Sequence, residues 1–146
     1  MEKNIKEINC VVSIILDNKN RILLQKKDSG YRLGPNKWSL WGGKIEMGEG
    51  ASEAIAREIK EETGLETGEY NIHFFRDYVY EGILGNELAK VSHKIFIIRF
   101  DGNLERIRLG EGGGFALFEN SEIKELNLME PTKKMLELFY KNDTGL

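Results

Sequence analysis

Apolar residues fall in distinct runs along this chain, and each run predicts an element. Ile8 to Leu16 is almost continuously apolar, as in a mostly buried strand. Asp17-Asn18-Lys19-Asn20 follows as a turn and Arg21 to Lys27 as the returning strand, so the stretch predicts a hairpin. Asp28 to Lys37 is rich in Gly, Pro and Asn and predicts a loop. Trp38 to Trp41 predicts a short strand feeding a Gly42-Gly43 turn. A helix follows, with Ser52 and Glu53 at its start and Gly64 as its terminator. His73 to Tyr80 and Val91 to Phe100 alternate or run apolar, as paired strands do, with Gly82 to Glu87 as the loop between them. Gly114 to Phe118 predicts another short strand. Glu130 to Tyr140 predicts an amphipathic closing helix with Pro131 in its first turn. Strands interleaved with two helices predict a layered α/β sandwich, one domain over residues 1–146.

The first helix breaks the usual amphipathic rule. At about 100° per residue with Glu58 at zero, Glu62 falls near about 40° and Glu61 near about −60°. Ala51, Ala54, Ile55 and Ile59 fall within or beside the same arc, while Glu53, Arg57 and Lys60 fall opposite. Three carboxylates thus share a face with small apolar residues. Like charges this close repel, and burial raises their pKa values. A hard divalent cation removes both penalties, because carboxylate oxygens suit Mg²⁺. The plainer alternative is a charged, solvated helix with Arg57 and Glu61 paired at i,i+4.

The spacing around that helix carries a family resemblance. Gly43, Glu49, Arg57, Glu58, Ile59, Glu61, Glu62, Gly64 and Leu65 fill every fixed position of G-x5-E-x7-R-E-U-x-E-E-x-G-U, with U aliphatic. At ordinary residue usage a chance match is about one in 10⁸ per window. The segment resembles the signature of the Nudix hydrolases, MutT-like members among them. The resemblance covers 23 residues and implies an α/β/α sandwich with a mixed sheet, the signature forming loop, helix and loop.

It also implies roles, position by position. Glu58 and Glu62 resemble the main metal ligands. Glu61 resembles a bridging ligand or the carboxylate that handles the water proton. The carbonyl of Gly42 completes the coordination. Arg57 orients Glu61 or Glu49, and Glu49 fixes the loop before the helix. Glu111, in the run Gly110-Glu111-Gly112-Gly113-Gly114, matches a further metal ligand or general base of MutT-type members; a solvated loop residue is the alternative. Lys26, Lys27, Arg32 and Lys44 lie near the expected mouth of the site, where cations meet phosphates. Relatives usually have Pro where Trp41 stands, and this Trp either packs into the core or walls the site.

The implied activity is Mg²⁺-dependent hydrolysis, with Mn²⁺ as a substitute, of a diphosphate linkage in a nucleoside diphosphate derivative. That class takes in nucleoside triphosphates, nucleotide sugars and dinucleoside polyphosphates. Two other readings stay open: a catalytically silent nucleotide-binding or regulatory module of the same fold, and an RNA 5′-end pyrophosphohydrolase. Silent modules typically lose signature carboxylates, and this chain keeps them all. Tyr80 matches a Tyr often found in dinucleoside polyphosphate hydrolases, although it also suits sheet packing. Met129 stands where sanitisers of oxidised guanine carry Asn, and Met cannot make the paired hydrogen bonds that read a purine edge. His73 and His93 fit strand positions, as satisfied or exposed histidines.

Composition narrows the remaining classes. The chain has 146 residues, 40% of them hydrophobic and 31% charged, with a net charge of −3. No global basic field favours nucleic acid, so a small nucleotide is the expected partner. Cys10 is the single cysteine, which excludes a zinc cluster and fits a buried thiol in a reducing compartment. The apolar run Val11 to Leu16 is too short to span a membrane, and no signal pattern follows the charged start. A cytoplasmic location is the expectation. Many relatives form dimers, so the resemblance leaves a homodimer open.

Overall fold

The computed structural model describes residues 5–32, 34–84, 86–110 and 112–142. It is a mixed α/β fold built on a mixed, unclosed sheet. The strands are β1 (Lys6–Leu16), β2 (Ile22–Lys26), β3 (Trp38–Ser39), β4 (Trp41–Lys44), β5 (Asn71–Leu84), β6 (Glu87–Arg99) and β7 (Gly114–Phe118). The helices are α1 (Ala51–Thr63), a short α2 (Asn120–Ile123) and α3 (Glu130–Asn142). The sheet runs β3-β2-β1-β6-β5, with β4 paired to β1 and β7 to β2.

β1 is the centre of the sheet. Its residues from Cys10 to Leu16 are all buried, which explains the unbroken apolar run. Along one edge it pairs in parallel with β6, from Lys6 opposite Ala89 to Leu16 opposite Arg99. Its other edge is shared: Ile15 and Leu16 pair with β2, while Cys10 to Ser13 pair with β4. β2 therefore parts from β1 after Leu23, and the segment from Trp38 to Lys44 fills the gap. Trp38–Ser39 pairs with β2, and Trp41–Lys44 with β1.

Alternate residues of β1 point to opposite layers. Val11 and Ile15, with Leu23, Trp41, Phe96 and Ile98, pack beneath Ala54, Ile55 and Ile59 of α1. Val12, Ile14 and Leu16, with Ile22, Leu24, Ile95 and Ile97, pack against Met135, Leu136 and Phe139 of α3. The turn between β1 and β2 is built by Asp17, whose Oδ1 accepts from the backbone of Lys19 and Arg21 at 3.0 and 2.8 Å. Helix α1 ends at Gly64, in the left-handed region at φ 76°, whose N–H donates to Lys60 O at 2.9 Å.

Four expectations change. Gly42 and Gly43 lie in β4, paired with Val12 and Val11, and form no turn. The signal missed was pairing with a strand about 30 residues away, which local turn statistics do not see. Helix α1 is capped at Gly50, with the Gly50 N–H donating to Glu53 Oε1 at 3.2 Å; Ser52 and Glu53 already lie inside it. The predicted loop from Gly82 to Glu87 is mostly strand, since β5 extends to Leu84 and β6 begins at Glu87. His93 is neither satisfied nor exposed. Both ring nitrogens are buried without a hydrogen-bond partner, and the ring stacks on Tyr80 with centroids 5.7 Å apart.

Burial pushes the His93 pKa down from 6.5 to about 4. Between those values the unfolded chain binds a proton that the folded ring refuses. This group therefore leaves stability unaffected above 6.5 and lowers it as pH drops through the window, and its effect reaches full size below about 4. The shift corresponds to about 3 kcal/mol of acid destabilisation. Urea unfolding from pH 8 to 4 is expected to show a steeper acid decline for the native sequence than for His93→Phe. Parallel curves for the two proteins would refute the assignment.

Candidate active site

Helix α1 carries Glu58 and Glu62 one turn apart beside the gap where β2 leaves β1. Glu62 is the more enclosed. Its Oε2 accepts from Gln25 Nε2 at 2.9 Å, and its Oε1 is buried with no partner. Burial is the largest cause that raises its pKa, to about 7. The neighbouring Glu58 carboxylate raises it further, against the opposing hydrogen bond from Gln25 and the charge of Lys27. Glu58 is 15% exposed and Glu61 60% exposed, so Glu61 sits on the rim.

A guanidinium organises the outer side of this group. Arg57 Nε donates to Glu49 Oε2 at 2.7 Å and Nη2 to Glu49 Oε1 at 3.0 Å, a two-pronged pair. Nη2 also donates to the Lys44 carbonyl at 3.1 Å, and Nη1 reaches Glu58 at 2.9 Å and Glu61 at 3.4 Å. The two bonds from Arg57, with that from the Glu46 N–H, hold the Glu49 carboxyl down at about 2. They likewise raise the Arg57 pKa, the bond to Glu49 first. Arg57 thus ties the loop before α1 to the helix and fixes Glu58 in place.

The glycine pair explains how the strand and helix come so close. A Cβ on Gly42 would strike the Val11 carbonyl and sit 2.7 Å from Val12 Cα. A Cβ on Gly43 would lie 2.5 Å from Glu58 Oε1. Gly42 therefore permits the β1–β4 pairing, and Gly43 leaves room for the carboxylate.

These groups meet in a cavity of about 310 Å³. Gly42, Glu58, Glu61 and Glu62 line it from β4 and α1; Gln25, Lys27, Asp28 and Tyr31 line it from β2 and the following loop. Gly110 and Gly112 close a third side. Glu111 lies outside the described residues. Lys27 Nζ sits 4.9 Å above the centre of the Tyr31 ring, so one cation faces the carboxylates across the cavity. Lys26, Arg32, Lys44 and Tyr80 are not among the described residues lining it. Tyr80 instead packs with His93, Ile8, Cys10 and Val91 on the layer opposite α1. Trp41 is fully buried and donates from Nε1 to Leu23 O at 2.9 Å, which makes it a core residue.

Gln25, Asp28 and Tyr31 were not singled out by the sequence. Gln25 left a signal: it is a polar residue continuing the apolar run Ile22-Leu23-Leu24. Asp28 and Tyr31 left none, since a loop's direction is set by what it packs on.

The donor set fits a hard divalent cation. Among the described residues no three His, Cys, Asp or Glu side chains are gathered to hold an ion by themselves. Two adjoining carboxylates are present, one with a buried oxygen awaiting a partner. Mg²⁺ is usually bound this way, through one or two carboxylates with waters and substrate phosphates completing the shell.

The comparisons with known proteins give the family and the fold. The NUDIX domain family profile matches residues 7–139, so the chain belongs to the Nudix family, whose hydrolases are pyrophosphohydrolases. The chain is 33% identical over 90 residues to nucleoside triphosphatase NudI of Enterobacter sp. (strain 638), covering 60% of this chain and 64% of that protein. It is 33% identical over 76 residues to the 8-oxo-dGTP diphosphatase of Escherichia coli (strain K12), covering 52% and 57%. The matched stretches thus span less than two thirds of these curated relatives. The crystal structure of the MutT protein from Methanosarcina mazei Go1 shares the fold, with a TM-score of 0.77 at 22% identity over 98% of this chain and 99% of that one.

The two glycines are expected to fail differently. Gly42→Ala forces backbone apart and should cost about 1–3 kcal/mol of stability. Gly43→Ala meets only the end of a flexible side chain, so the fold should survive while Glu58 moves and turnover drops about 10²-fold. Thermal melts and steady-state kinetics on both variants separate the cases; equal melting losses would contradict the assignment.

Proposed function

We propose that this protein hydrolyses a diphosphate linkage in a nucleoside triphosphate or a related nucleotide, using Mg²⁺ held by Glu58 and Glu62. The observation that carries the reading is the buried, unpartnered Glu62 Oε1 beside Glu58, in a cavity that also holds Lys27. A bound divalent ion would neutralise charge between the phosphates and make an attacking water more acidic. The chain's own groups do the rest. Lys27 draws the phosphates toward the carboxylates. Glu61, on the rim, is open enough to water to accept its proton. Arg57 keeps Glu58 and Glu61 at the cavity side of the helix, and catalysis of this kind is mainly positioning and electrostatics. Glu111, between two glycines that line the cavity, stands as a second candidate for the base.

Two relatives are named for action on nucleoside triphosphates and on 8-oxo-dGTP, which supports a nucleoside triphosphate as the first substrate class to test. Met129 disfavours 8-oxo-dGTP within that class, because a thioether supplies no paired donor and acceptor. Among the described residues no helix is long and apolar enough to cross a membrane.

The test is a panel of dNTPs, 8-oxo-dGTP, nucleotide sugars, ADP-ribose and dinucleoside polyphosphates with Mg²⁺ or Mn²⁺, read as phosphate products. Release of pyrophosphate or phosphate from at least one triphosphate is expected, and chelation should abolish it. Glu62→Gln should lower kcat by about 10²–10³-fold with an unchanged circular dichroism spectrum. Wild-type turnover in that variant removes the ligand role. Tight binding of one nucleotide with no turnover would instead mark a silent module.

A further inference from the structure

The geometry points to Gln25 as a positioning residue that selects which oxygen of Glu62 faces the divalent ion. The inference rests on the proposed role of Glu62 and deepens it.

Gln25 is buried, 5% exposed, and follows three fully buried apolar residues in β2. An amide at such a place costs free energy unless its hydrogen bonds are made. Both N–H groups are used: one donates to the Leu40 carbonyl at 3.1 Å and the other to Glu62 Oε2 at 2.9 Å. The amide cannot turn over, because its oxygen would then face the Leu40 carbonyl, which does not donate. The Leu40 carbonyl already accepts from Ser39 Oγ at 3.2 Å, so it does not depend on Gln25. What depends on Gln25 is Glu62. With Oε2 occupied by that donor, Oε1 is left as the unpartnered buried oxygen of a carboxylate that has Glu58 as its charged neighbour. Gln25 is itself pinned to the Trp38–Lys44 segment, paired with Ser39 and bonded to Leu40, so the carboxylate plane is referred to the sheet and not only to the helix. Partners of a ligand that fix its orientation typically change metal affinity about 10–100-fold when removed.

The experiment is Mn²⁺ titration by electron paramagnetic resonance on the native protein, Gln25→Met, Glu62→Gln and the double variant. Gln25→Met should weaken Mn²⁺ binding about tenfold or more. In the Glu62→Gln background the same change should add no further loss, because Gln25 acts through Glu62. Native-like Mn²⁺ affinity in Gln25→Met, or an equal loss in both backgrounds, overturns the inference while leaving Glu62 as a ligand. A native protein that binds no Mn²⁺, or a Glu62→Gln variant that binds it as well as native, overturns the proposed site and this inference with it. Gln25→Asn keeps a neutral amide one methylene short of Glu62. It serves if Gln25→Met misfolds, and native affinity there overturns the inference equally.

Discussion

Two like-charged groups held side by side away from bulk water are the constraint on which this site depends. Left alone, Glu58 and Glu62 would separate, or one would take up a proton. The rise of the Glu62 pKa to about 7 records that tension. Neighbouring features act on it from different sides. Arg57 holds Glu58 from outside the helix, Gly43 clears space for it, Gln25 holds one oxygen of Glu62, and Lys27 offsets charge across the cavity. A divalent ion would resolve what these groups only moderate. On the proposed reading the arrangement binds charge at the expense of its own energy, as expected of functional sites.

Much of this was legible in the residues before any coordinates. The spacing from Gly43 to Leu65 identified the family, because each position there answers a local requirement. Gly64 must adopt a left-handed conformation, and the glutamates must share a helix face. The strands from Ile8, Arg21, His73, Val91 and Gly114 were visible as periodic or apolar runs. The illegible parts depend on partners far away in sequence. Gly42-Gly43 reads as a turn until β1 is laid beside it. Trp41 remains ambiguous until its indole is found donating to Leu23. Lys26, Lys27, Arg32 and Lys44 look alike on the page. Only Lys27 lines the cavity, because the end of β2 and the loop after it set its direction.

The face of the sheet opposite α1 departs furthest from sequence reasoning. Tyr80 and His93 form a stacked pair over Cys10 and Val91, and the ring nitrogens of His93 have no partner. A histidine in an alternating strand gives no warning of such burial. Its environment comes from β5 crossing beside β6, with Tyr78 directly opposite His93 in the register.

The long parallel pairing of β1 with β6 has a consequence for assembly. β1 comes early in the chain, yet its longest pairing is with β6, in the second half. Closing so large a loop is an entropic cost met before the contacts it enables. Helix α1 lies between those two strands in sequence and shares a core cluster with both of them. Glu58 and Glu62 share a face as soon as the helix forms, but Gly110 and Gly112, which close one side of the cavity, come much later in the chain, so a half-made chain carries the signature without the whole pocket it serves.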